Sequence, residues 1–145
     1  MSIRMRNGKG FELTVLGLLT LAGFDAYAPL VDDQGIDGVL RVKADGQTRY
    51  FDLQIKGSKG WNGIRCKVSS LPPNGVLILY CDDHKETLWF LQDECLKLFP
   101  ALDPTWGDIF LKVAQVKQFR EEGRNDLTRL MDRLRQPSAQ AAVVP

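Results

Sequence analysis

An acid, an amide and a lysine on neighbouring strands are the residues whose types and spacing best suit chemistry. Residues 39–42 and 49–56 read as two β-type runs with Asp45-Gly46 between them. Asp-Gly in that place predicts a tight hairpin, because both central positions favour φ > 0. In the second run Phe51, Leu53 and Ile55 share one face, while Asp52, Gln54 and Lys56 share the other. With a two-residue turn Ala44 faces Gln47. Counting back along both strands then sets Asp37 opposite Gln54, their Cβ atoms about 5 Å apart. Lys56 lies one same-face step farther on.

A carboxylate and an amide oxygen this close, with a main-chain carbonyl nearby, suit a hard divalent cation such as Mg²⁺ or Mn²⁺. Such an ion lowers the pKa of bound water and neutralises charge building on a phosphodiester. A lysine at the edge can orient or deprotonate the attacking water and stabilise the anionic transition state. Glu12, early in a predicted helix, is a further acid for the same site, as an outer or second-metal ligand. Each residue also has a plainer explanation. Asp37 suits a turn, Gln54 and Lys56 suit the solvent face of an edge strand, and Glu12 suits the first turn of a helix. Their joint occurrence at matching register favours the metal site.

The elements that must position these groups are legible in outline. Residues 10–22 predict a helix, with Phe11, Val15, Leu18, Leu19 and Ala22 at helical spacing and Gly23 as terminator. Residues 26–31 read as extended or irregular, and 32–35 as a turn. After the hairpin comes a Gly- and Lys-rich loop (57–63) and then a strand at 64–68. Pro72-Pro73-Asn74-Gly75 predicts a turn, 76–80 a buried strand and 87–91 another. Residues 93–99 predict a short helix capped by Asp93, and 109–113 lean to a strand. A last helix, capped by Asn125, carries Leu127, Leu130, Met131 and Leu134 on one face. The expected fold class is α/β (α+β): a three-layer domain with a central mixed sheet flanked by helices. Residues 1–136 are expected to form one domain and 137–145 a disordered tail.

Composition narrows the chemistry. The chain has 145 residues, 44% apolar and 26% charged, which suits one globular domain. Lys and Arg number 19 against 18 Asp and Glu, so a polyanionic partner must be met by a local patch. Two acid-free basic runs qualify: Arg4, Arg6 and Lys9, and then Lys56, Lys59, Arg65 and Lys67. Trp61, between basic residues, is a candidate to stack on a base or sugar, or else to sit in the core. A single histidine, His84, in a turn, excludes sites built on two or more histidines. Three cysteines without a CxxC pair fit a reducing compartment, so a cytoplasmic location is expected. The charged start, the apolar stretch 13–24 and Ala26-Tyr27-Ala28 outline a secretory signal, but Glu12, Gly17, Thr20, Gly23 and Asp25 interrupt it. The stretch is too short to span a bilayer, so no membrane partner is expected.

Gly35-Ile36-Asp37-Gly38, a hairpin and then Gln54-Ile55-Lys56-Gly57-Ser58 resemble the PD-(D/E)xK nuclease superfamily in its D…QxK form. The form is similar to Mrr-type restriction nucleases. Lys9-Gly10-Phe11-Glu12, leading to Ala22-Gly23-Phe24, resembles the first helix of archaeal Holliday-junction resolvases. The resemblance covers residues 9–81 and implies a restriction-endonuclease-like fold. It also implies Asp37 and Gln54 as metal ligands, Lys56 as catalytic lysine and Glu12 as the helical acid, with Asp33 a neighbour. Where many members carry an acid, this chain has Gln54, and the loss of one negative charge weakens the hold on a cation unless another acid compensates. The implied activity is Mg²⁺- or Mn²⁺-dependent hydrolysis of DNA in restriction, repair or recombination, with a homodimer or a protein partner as further expectations. The alternative is a catalytically weakened nuclease-fold module that binds nucleic acid or a protein.

Overall fold

The chain orders its elements as α1 (Ile3–Leu21), β1 (Asp25–Tyr27), β2 (Gly38–Ala44), β3 (Gln47–Ser58), β4 (Ile64–Cys66), β5 (Gly75–Cys81) and β6 (Glu86–Leu91), followed by α2 (Gln92–Leu98), β7 (Gly107–Ile109), α3 (Val113–Glu121), α4 (Leu127–Arg135) and β8 (Ala142–Val144). The computed structural model describes residues 2–30, 35–62, 64–66, 71–99, 107–109, 111–139 and 141–144. The main sheet runs β1-β2-β3-β5-β6, with β8 added to β3. Among the described residues, only β3 and β5 pair in parallel; β4 and β7 form a separate antiparallel pair. The result is a mixed sheet between two helical layers.

β5 explains the layering. All seven of its residues are buried, because both faces of the strand are covered. Val76, Ile78 and Tyr80 join Phe51, Leu53 and Ile55 of β3 against Val15 and Leu19 of α1 and Leu130 and Leu134 of α4. Leu77 and Leu79 pack on the other side with Trp61, Cys95 of α2, and Val116 and Phe119 of α3. Trp89 and Phe90, adjacent on β6, divide between the two cores.

Several elements differ from expectation for local reasons. α1 begins at Ile3 rather than Gly10, because Ser2 Oγ accepts the Met5 N–H at 3.2 Å and caps the helix there. The apolar stretch 13–24 feeds the core through Val15, Leu19 and Phe24. Among the described residues, no helix is long and apolar enough to cross a membrane. α2 is not capped by Asp93. The Glu94 carboxylate takes the Leu91 N–H at 3.0 Å, which makes Leu91 the boundary. α4 is capped by Asp126 rather than Asn125, through the Thr128 N–H at 2.9 Å. The run 109–113 divides, its start closing β7 and Val113 opening α3, a helix with only Val116 and Phe119 buried. Of the predicted strand 64–68, residues 64–66 form β4, and 67–68 lie outside the described residues.

Where the sequence predicts a disordered tail over 137–145, Ala139 is buried and β8 pairs with β3 over Thr48, Arg49 and Tyr50. β5 reaches β3 only from Asp52 onward, leaving the first part of that β3 edge open. An apolar Ala-Val-Val run fills it, as unpaired strand edges favour.

α1 lies tight against the sheet at Gly57, where an added Cβ would sit 2.5 Å from the Phe11 ring and 2.8 Å from Phe11 Cβ. Gly57→Ala should therefore cost about 1–3 kcal/mol in urea unfolding. Gly17→Ala, at a helix position open to solvent, should gain up to about 1 kcal/mol. Equal stabilities for Gly57→Ala and the parent would show that α1 does not seat there.

Candidate active site

The hairpin forms with the expected register. Asp45 and Gly46 have φ of 52° and 75°, the backbone that a two-residue I′ turn needs. Pairing runs from Ala44↔Gln47 to Gly38↔Leu53. Asp37 comes next, and there the regular ladder stops. Its N–H donates to Leu53 O at 2.9 Å, and its Oδ2 accepts the Ile55 N–H at 2.7 Å. A side-chain carboxylate thus takes a main-chain donor of β3, a short charge-assisted bond in a buried place. Asp37 is only 8% exposed. Gly38 follows because a Cβ there would meet Leu16, Tyr27 O and Leu53 at 3.0–3.2 Å.

Gln54 and Lys56 sit beside Leu77 and Leu79 in the parallel register with β5. They therefore face the α2–α3 layer, away from α1. Lys56 is half-buried. Gln54 is 9% exposed, and its Oε1 has no hydrogen-bond partner among the described residues. A buried amide oxygen left unpaired costs about 1–3 kcal/mol. Gln54 is among the residues that line a cavity of about 40 Å³, with Gly35, Ile36, Asp52, Leu53, Leu71 and Pro72.

Glu12 approaches from the opposite layer. Its neighbour Phe11 rests on Gly57 and meets the Tyr80 ring at 5.6 Å, while Leu16, one turn later, rests on Gly38. Glu12 is thereby held level with the Lys56–Gly57 end of β3, its carboxylate paired with Lys9 Nζ at 3.1 Å. The structure brings Asp37 onto β3 and sets Gln54 and Lys56 on one face; Glu12 lies across the sheet from those two. Among the described residues, no three His, Cys, Asp or Glu cluster as a metal site. An ion here would draw on amide and main-chain oxygens as well as carboxylates.

The basic residues divide. Arg4, Arg6 and Lys9 are exposed on the first turns of α1, and Lys59 is exposed beyond the end of β3. The Lys59 backbone is tied down: Ser58 O and Lys59 O accept the N–H groups of Asp82 and Asp83 at 2.9 and 2.8 Å. In that turn Lys85, hydrogen-bonded at 2.6 Å, holds Asp82 below the usual carboxylate range. Trp61 is a correction. It is 8% exposed and packed in the core, so its ring is not presented to a base. Arg65 lies in β4 with only its backbone described, and Asp33 and Lys67 lie outside the described residues.

The chain matches no protein-family model and no curated protein in sequence. Its structure, however, is similar to that of the bacterial homing endonuclease I-Ssp6803I, with a TM-score of 0.58 over 92% of this chain and 95% of that one. The chain shares that protein's fold. At 14% identity the likeness carries the architecture and no side-chain roles.

Reading the sequence alone misses the role of Gly57, for which its place directly after Lys56 is the signal, and misses the cavity beside Gln54 altogether. The Asp37 bond also separates structure from chemistry. Asp37→Ala should leave the Ile55 N–H without an acceptor and cost about 1–3 kcal/mol in chemical denaturation. Asp37→Asn keeps an oxygen there and should cost less than half as much. Equal losses for both would show that the Ile55 bond is not what the carboxylate contributes.

Proposed function

We propose that this protein is a metal-dependent endonuclease that hydrolyses phosphodiester bonds in DNA. The observation that carries this reading is the buried Gln54 Oε1, without a partner among the described residues, on the strand to which the Asp37 carboxylate is bonded, with Lys56 two residues on. The fold shared with a homing endonuclease supports it. Asp37 and Gln54 would hold Mg²⁺ or Mn²⁺, and Glu12, from the other side of the sheet, would serve only as an outer or second-metal acid. Hard oxygen donors of this kind suit those ions, and the orphaned amide oxygen is the atom that such an ion would satisfy. The ion would supply an acidified water and charge neutralisation at the phosphodiester.

The chain's own residues do the rest. The Ile55 N–H fixes one oxygen of Asp37 and so fixes the direction of the carboxylate. The half-buried Lys56 ammonium orients the attacking water and stabilises the charge that develops on the phosphate oxygens. Arg4, Arg6, Lys9 and Lys59 give exposed cationic contacts to the DNA backbone, which position a duplex without reading its sequence. A second reading follows from Gln54 being an amide rather than an acid: a nuclease-fold module that binds DNA, or a protein, without cutting.

The test is incubation with supercoiled, linear and branched DNA in Mg²⁺ or Mn²⁺. The parent should cleave, and Lys56→Gln should lose about 100-fold or more in rate while DNA affinity, read by fluorescence anisotropy, stays nearly unchanged. Cleavage by Lys56→Gln at the parental rate would contradict the assignment. Binding without cleavage by the parent on every substrate would favour the binding module.

A further inference from the structure

α1 runs antiparallel to β3. Phe11 rests on Gly57, and Leu16 rests on Gly38, the residue paired with Leu53. β3 ends at Ser58, so the turns of α1 before Phe11 continue past the end of that strand. Residues 2–10 are all exposed, and a Cβ added at Gly8 or Gly10 would meet nothing within 4 Å. At the helical rise, Ile3 lies about 12 Å beyond Phe11. Residues 2–11 contain Arg4, Arg6 and Lys9 and no acid. This overhang leaves the sheet at the end that carries Lys56 and the exposed Lys59, where Lys85 already offsets Asp82. A polyanion brought to Lys56 therefore meets the helix as well.

The helix itself says which polyanion and how. Successive residues turn about 100° around the axis, so Arg4 and Arg6 lie on opposite flanks, with Lys9 nearer Arg6. A flat row of phosphates would meet one flank only; a groove walled by phosphates meets both. A helix about 10–12 Å across fits the major groove of B-form DNA, about 12 Å wide, and not the minor groove, about 6 Å wide. The major groove of duplex RNA is too deep and narrow to take it.

We propose that residues 3–10 of α1 are an arm that lies in the major groove of duplex DNA, Arg4 holding one phosphate strand and Arg6 with Lys9 the other. The inference rests on the nuclease reading above and adds to it the form of the substrate, a B-form duplex, and the way it is gripped. The arm supplies position along the groove, and the sheet end beneath it supplies Lys56.

The experiment measures binding of the full chain to short duplexes by fluorescence anisotropy, with circular dichroism to confirm folding. One duplex is plain, and one carries glucosylated 5-hydroxymethylcytosine, whose sugars fill the major groove. The sugars should weaken binding about tenfold or more, whereas distamycin, which fills the minor groove of the plain duplex, should leave it nearly unchanged. Arg4→Gln and Arg6→Gln should each lower the slope of log affinity against log salt by about 0.9. The double variant should bind the plain and sugar-filled duplexes almost alike. Equal parental affinity for both duplexes, or for duplex RNA, in a chain that still cuts DNA would overturn the arm and leave the nuclease reading standing. A folded parent that neither binds nor cuts DNA would overturn both.

Discussion

The hydrogen bond from the Ile55 N–H to the Asp37 carboxylate is the constraint on which the arrangement depends. It ends the β2–β3 ladder with a side chain in place of a main-chain carbonyl, and so fixes an acid where the two strands part company. Everything near it is built to permit that ending. Gly38 has no side chain to obstruct Leu16, and Gly57 has none to obstruct Phe11, so α1 can lie directly on the sheet at both points. The price is a carboxylate taken out of water, which is tolerable because a main-chain donor is bonded to it.

The same strand shows what is left unsatisfied. β3 is sandwiched between two cores, and its Phe51, Leu53 and Ile55 pack in the apolar core with α1 and α4. Its even-numbered residues continue a face that on β5 is leucine, yet carry Asp52, Gln54 and Lys56. A polar trio in the middle of an apolar layer runs against the packing logic of the rest of the sheet. Local rules broken without evident structural gain mark functional positions more often than accidents. The shared fold with a homing endonuclease is consistent with that view and says nothing of the individual side chains.

The legible parts of the sequence were those governed by local chemistry. Asp45-Gly46 announced the hairpin and hence the register, because few other residues accept two successive positive φ values. The apolar run of β5 announced a strand covered on both sides. What escaped depends on distant partners. α3 has too few apolar residues to show a helical stripe, yet Val116 and Phe119 are enough once a core exists to receive them. Trp61, beside its lysines and arginine, suits stacking or the core equally in sequence, and the β3–β5 crossover folds it inward. The small terminal run 142–144 looked formless until the open edge of β3 supplied a partner. In the candidate site, counting set Asp37 beside β3 correctly. It did not reveal that the carboxylate replaces a backbone acceptor, nor that Glu12 comes from the other side of the sheet.

The central claim is that the buried amide oxygen of Gln54 exists to meet a cation. Anomalous diffraction from crystals of the protein soaked in Mn²⁺ tests it directly. The account predicts a manganese peak about 2.1 Å from Gln54 Oε1, with carboxylate oxygen in the same coordination shell. An ordered water hydrogen-bonded to Gln54 in fully soaked crystals, with no manganese beside it, would contradict the claim.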